Sequence, residues 1–260
     1  KGNYTSGGDN LAPLLSPAVK GGNPPDIAAV GQPGLMAGFV EQGAIQPIDQ
    51  LRDTIVENFG EAVADVGSVD GKQYAVMFKG ANKSTIWYNV KLFKNAGVKA
   101  PKTFANLLKV AKTLKASGTK AYSIGGGDGW TLTDLFENIY LRQAGGAKYD
   151  KLSVHKMKWT DPSVKTALKT MAKIFGDSGN IAGGTSGALE TVFADSVTQA
   201  FGPNPKAAMV LEGDFVGGTI TGSTSAKPGT DFNYFPWPAI KPGTLTNVVA
   251  GGDAVVMFRD

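Results

Sequence analysis

Four carboxylates, Asp128, Glu190, Glu212 and Asp214, are the residues of this 260-residue chain best suited to acid–base chemistry. A pair of them could flank a glycosidic bond, one as acid and the other as base or nucleophile. Spacing along a chain does not fix the separation of two carboxyl groups, so a glycoside hydrolase stands as the alternative enzyme reading. Other chemistries are poorly provided for. There is no cysteine, which excludes disulfides, thiolate metal sites and thiol catalysis. The single histidine, His155, lies in the polar stretch 151–158 and reads as a surface residue. One imidazole leaves neither a His-pair nor most zinc constellations. No serine occupies a Gly-x-Ser-x-Gly elbow. The run Gly125-Gly126-Gly127-Asp128-Gly129 has the glycines of a phosphate cradle, but no Gly-Lys-Ser/Thr follows and the dinucleotide spacing fails at Trp130.

The elements that must position these residues alternate in type. Apolar segments bounded by turn residues predict strands at 26–30, 74–78, 85–89, 121–124, 207–211, 232–235 and 248–258. Helical periodicity appears at 11–20, at 35–42 and most clearly after Thr103, where Phe104, Leu107, Leu108, Ala111 and Leu114 share a face and Thr103 can cap. A further helix opens at Asp161-Pro162, with Val164, Ala167, Leu168, Met171, Ala172 and Phe175 as its apolar face. Leu189, Val192 and Phe193 suggest one more. Trp87, inside a strand, and Trp159, before a helix cap, read as packing residues. The alternation predicts an α/β class with largely parallel sheets.

Bulk composition agrees with a folded chain able to form two lobes. Hydrophobic residues make up 42% and charged residues 18%, and the net charge is +4. Lys91, Lys94, Lys99 and Lys102 are interleaved with apolar residues, as on a solvated surface and unlike a nucleic-acid stripe. No apolar run reaches the length of a membrane span, and the opening Lys1-Gly2-Asn3-Tyr4 is not a secretion signal.

Five local patterns, in order along nearly the whole chain, together resemble family 1 of the extracellular solute-binding proteins, the group that includes maltose-binding protein. They are Gly21-Gly22-Asn23-Pro24-Pro25-Asp26-Ile27, Gly43-Ala44-Ile45-Gln46-Pro47-Ile48, Asp70-Gly71-Lys72-Gln73-Tyr74, the stretch from Trp87-Tyr88-Asn89 through Gly97 to Pro101-Lys102-Thr103-Phe104, and Ala207-Ala208-Met209 running to Glu212-Gly213-Asp214-Phe215. The chain departs from the family pattern at Phe104 and Phe215, where tryptophan is usual, and at Phe78-Lys79-Gly80, where a proline is common.

The resemblance implies a type II periplasmic-binding-protein-like fold, with two α/β lobes and a ligand cleft between them. Lobe one would comprise 1–78 and 247–260, lobe two 86–240, with hinge crossings at 77–85 and 241–246. Because family members are longer, the resemblance also implies that both ends are missing. The expected role is capture of a mono- or short oligosaccharide, closure about the hinge, and delivery to the membrane permease of an ABC importer. Such a protein would be an extracytoplasmic monomer, periplasmic or lipid-anchored, with no enzymatic activity, no metal or cofactor and no nucleic-acid partner. Sugar recognition needs flat aromatic faces for the C–H faces of a pyranose and polar groups for its hydroxyls. The family pattern turns these residues toward the cleft: Gln32 after the first strand, Lys79 and Asn82 on the first crossing, Asp128-Gly129-Trp130, Asp214-Phe215, Trp237, and Gly252-Asp253 in the last strand.

Overall fold

The computed structural model describes residues 3–5 and 11–259. Its chain divides into two compact units. One is built from the chain up to Ala81 and again from Gly251 on; the other is Asn82–Ala250.

The first unit contains α1 (Ala12–Lys20), β1 (Ile27–Val30), α2 (Pro33–Glu41), α3 (Arg52–Phe59), α4 (Glu61–Val66), the short hairpin β2 (Ser68–Val69) and β3 (Lys72–Gln73), and most of β4 (Ala75–Asn82). Asp70 and Gly71 both have positive φ (50° and 77°), the backbone required at both central positions of a two-residue hairpin turn. The Asp-Gly-Lys pattern is therefore a turn specification. Arg52 ties α3 to α4 and the hairpin through Glu61, Asp65 (2.8 Å), Ser68 (3.0 Å) and Gln73 (3.0 Å). The core gathers Leu15, Val30, Met36, Phe39, Ile45, Ala75, Val256 and Phe258.

The second unit follows as β5 (Thr85–Asn89), α5 (Val90–Asn95), α6 (Phe104–Ala116), β6 (Lys120–Ser123), α7 (Trp130–Ala144), α8 (Gly146–Ser153), α9 (Pro162–Phe175), α10 (Gly184–Glu190), α11 (Phe193–Phe201), β7 (Ala207–Val210), α12 (Val216–Ser223) and β8 (Phe232–Pro236). The chain then returns through β9 (Ala250–Met257). Local capping is as the residue types dictate. Thr103 Oγ1 accepts from Asn106 N (3.3 Å), Asp161 Oδ1 from Ser163 N (2.8 Å), and Asn89 Oδ1 from Leu92 N (3.1 Å). Side-chain caps of this kind satisfy backbone donors that a helix leaves open.

The α/β class holds, but the expectation of largely parallel sheets does not. In the four-stranded sheet, ordered β6-β7-β5-β8, only β6–β7 is parallel; β5 runs antiparallel to both β7 and β8. In the three-stranded sheet, ordered β1-β9-β4, β1 and β9 are antiparallel. Parallel pairing needs a crossover connection, which the helices between β6 and β7 provide. Strands β5 and β9 begin at the two points where the chain passes between units, and β8 pairs with β5 inside the second unit. Two smaller expectations are also revised. The helix suggested by Leu189, Val192 and Phe193 is two helices broken at Thr191-Val192, and Trp159 is exposed, resting its ring 5.6 Å from Phe136. Trp87 is buried with its Nε1–H on the Gly213 carbonyl (2.9 Å).

Candidate ligand-binding site

In the second unit the strand ends converge on an aromatic corner. Trp130, the first residue of α7, lies 5.2 Å from Phe193 and 5.8 Å from Phe215, and Phe193 and Phe215 are 5.4 Å apart, all measured between ring centroids. Tilted and edge-on pairs at these distances are the favoured aromatic geometry. Trp130 and Phe215 stay partly exposed while Phe193 is buried. The glycine run builds the approach. A Cβ on Gly125 would fall 2.7 Å from Phe193 Cα, and one on Gly126 would fall 2.7 Å from the Ala188 carbonyl. The run is thus consumed by close backbone packing against the α10–α11 junction. Gly129, at φ +77°, supplies the left-handed step into α7.

Both flanking aspartates are tied to the backbone. Asp128 Oδ2 accepts from Phe193 N (2.5 Å), capping the start of α11 from outside it. Asp214 Oδ2 accepts from Asn82 N (3.1 Å), while Asp214 N donates back to the Asn82 carbonyl (2.9 Å). Asn82, Asp128, Gly129, Trp130, Asp214 and Phe215 therefore form one connected group. Gln32, Lys79, Gly252 and Asp253 belong to the first unit. There Lys79 pairs with Asp253 (3.1 Å), and a Cβ on Gly252 would lie 2.0 Å from the Lys79 carbonyl. Asp253 Oδ1 would likewise be 2.9 Å from a Cβ on Gly31, the residue before the exposed Gln32.

Trp237 joins neither group, and its expected place at the ligand is corrected. Its side chain is fully buried, parallel to Phe104 at 6.4 Å and under the Arg142 guanidinium at 5.9 Å, so the ring belongs to the core. Among the proposed hydrolase carboxylates, Glu212 is only 4% exposed and Glu190 sits exposed at the end of α10. His155 is exposed.

The structure adds residues that the sequence did not single out. Lys83 Nζ binds Asp134 Oδ1 (2.9 Å) and stands 5.7 Å from the Trp130 ring centre. Beside it, Ser84 Oγ bonds Asn138 Oδ1 (2.7 Å) and accepts from Val249 N (2.8 Å). Arg142 reaches the Asn138 carbonyl (3.1 Å) and the Asn247 carbonyl (2.6 Å). Burial holds Arg142 down to about 10, still a cation at neutral pH. Burial also raises the Asp134 and Glu212 carboxyls, with Lys83 opposing. The available signal was the spacing Asp134, Asn138, Arg142: three polar residues four apart on one helix face.

The chain matches the family model for bacterial extracellular solute-binding proteins over residues 3–260. It belongs to that family. The osmoprotective compounds-binding protein GgtB of Synechocystis is 30% identical over 98% of this chain and 61% of its own length. The α-glucosides-binding periplasmic protein AglE of Rhizobium meliloti is 28% identical over 97% and 58%. A solved chitin oligosaccharide binding protein superposes with a TM-score of 0.78 at 24% identity, over 94% of this chain and 60% of that one. The fold is accordingly that of the periplasmic solute-binding proteins. This solute-binding chain spans about three fifths of the length of those two curated relatives. No helix among the described residues is long and apolar enough to cross a membrane.

Proposed function

We propose that this solute-binding chain captures a neutral sugar outside the cytoplasm and delivers it to the permease of an ABC importer, acting as a monomer without metal, cofactor or catalysis. The observation that carries this reading is the partly exposed aromatic corner of Trp130 and Phe215, flanked by Asp128 and Asp214, in a chain whose relatives are named for binding. Stacking on two rings and several hydroxyl hydrogen bonds suffice for a micromolar complex, roughly −8 kcal/mol. The proposed contacts are Gln32, Lys79, Asn82, Asp128, Gly129, Trp130, Asp214, Phe215, Gly252 and Asp253. Nothing favours hydrolysis. Two of the candidate carboxylates are engaged by backbone N–H groups, a third is buried and the fourth is exposed at the end of α10.

Calorimetric titration with maltose, sucrose, trehalose and raffinose tests the reading. At least one should bind with a Kd in the micromolar range, and Trp130→Ala should weaken it by roughly 10- to 100-fold, the worth of a stacked aromatic face plus its burial. Undiminished binding by Trp130→Ala would remove the corner from the site.

A further inference from the structure

Three buried carboxyl oxygens lie near Lys83 with few donors. Asp134 Oδ2 and both Glu212 oxygens make no well-aligned hydrogen bond among the described residues; the Gly213 N–H and the facing carboxyl group are what approaches Glu212, and the Glu212 carboxyl is what approaches Asp134 Oδ2. Asp134's side chain is 3% exposed and Glu212 is 4% exposed. The cavity beside Glu212, lined by Ser123, Thr131 and Leu211 among others, measures about 10 Å³, room for one water and not for the hydration shell of an ion. Two ionised carboxylates facing each other there would repel at high cost. A proton on one supplies the missing donor and leaves the pair with a single negative charge.

That charge is matched by one cation. Lys83 gives one hydrogen bond to Asp134, which leaves two of its three N–H donors without a partner among the described residues. Its side chain is 20% exposed, and its ammonium stands over the Trp130 ring, 5.7 Å from the ring centre. Two further titratable groups stand near the cluster: Glu137 on α7, held up by burial with Asp134 adding to the effect, and Tyr149 on α8, which hydrogen-bonds Glu137 and is raised by burial and by both carboxyl groups.

We propose that Lys83 is a ligand-binding residue, donating to a hydroxyl or ring oxygen of the captured sugar, and that Asp134 and Glu212, sharing one proton, are the positioning residues that aim it. This rests on the sugar-capture reading for the ligand, but the shared proton stands apart from it. Because the pair and Lys83 cancel, Lys83 presents a strong donor without adding net positive charge, and with Asp128 and Asp214 at the same corner this selects neutral polyhydroxyl ligands over anions.

Calorimetry with the four sugars above, and infrared spectroscopy of the ligand-free protein, test the two parts. Lys83→Met, which keeps the stem and removes the charge, should weaken the best-bound sugar roughly 10- to 100-fold, the range for a charged hydrogen bond. Lys83→Arg should restore most of that loss. Wild-type affinity should weaken toward the alkaline end of about pH 6–9, as a second negative charge draws Lys83 inward. In Glu212→Gln, whose amide keeps the donor, this pH dependence should vanish. A protonated-carboxyl band should be present at neutral pH in the wild type and absent in Glu212→Gln. Equal affinity in Lys83→Met and wild type would overturn the role of Lys83, and no such band would overturn the shared proton. If the band is present and no sugar binds, neither these four nor any monosaccharide of a wider screen, the sugar-capture reading and the Lys83 contact fall while the proton pair stands.

Discussion

A buried acid that keeps its proton leaves a thermodynamic mark on the free protein. Glu212 is held well above the ordinary carboxylate range by burial first and by Asp134 second. The folded state therefore binds a proton that the unfolded chain releases above about pH 4.5. Stability from this site is complete below that pH and declines as pH rises toward the folded value. Glu212→Gln has no proton to lose, so its melting temperature relative to wild type should climb steadily from about pH 5 upward. A difference that stays flat with pH would show Glu212 ionised in the fold. At this scale the sequence was partly legible. Asp128, Trp130, Asp214 and Phe215 could be named because they sit beside strand ends and inside recognisable patterns. Lys83 could not, since one lysine near a strand start looks like any other until Asp134 and Trp130 are brought to it. Trp237 misled for the same reason: position after a strand does not tell a surface ring from one stacked on Phe104.

Elements were legible where apolar periodicity and caps coincide. Helices α6 and α9 show their buried faces in sequence, with Thr103 and Asp161 marking their starts. Helix α7 hid because it is buried on more than one side: Leu135, Phe136, Ile139 and Tyr140 enter the core while the polar Asp134, Asn138 and Arg142 are nearly inaccessible too, so no single apolar stripe stands out in its sequence. Strand direction was equally hidden, because an apolar strand reads the same in parallel and antiparallel pairing. The polar face of α7 makes a prediction about its own stability. Arg142 joins α7 to the carbonyl of Asn247, in the segment leading into β9. Arg142→Met should fill similar space but strand the Asn247 carbonyl and leave the Asn138 amide oxygen with Ser84 Oγ alone. Urea denaturation should show a loss of about 2–3 kcal/mol, with the slope against urea unchanged. A loss under about 0.5 kcal/mol would mean that water replaces the guanidinium, as at an ordinary surface position.

At the scale of the molecule, the family assignment and the fold rest on the whole described chain, whereas capture of a sugar is the proposal that gives the aromatic corner its purpose. Membership of the family was legible from five short patterns whose reasons are now structural. Asp70-Gly71 is a hairpin turn, Asn89 and Thr103 are helix caps, and Gly213 lets the chain pass within reach of Asn82 and Phe215. These patterns specify the frame and say little about the ligand, whose identity depends on the few side chains that face it. The most direct test is a melting-temperature screen against mono-, di- and trisaccharides, with release of reducing sugar followed in the same samples. Any ligand that binds only the folded state raises the melting temperature, by an amount equivalent to about 2.7 kcal/mol at a hundredfold excess over Kd. The account predicts a clear rise with at least one sugar and recovery of that sugar intact. Turnover without a lasting rise would contradict it and return the carboxylates to the position of catalysts.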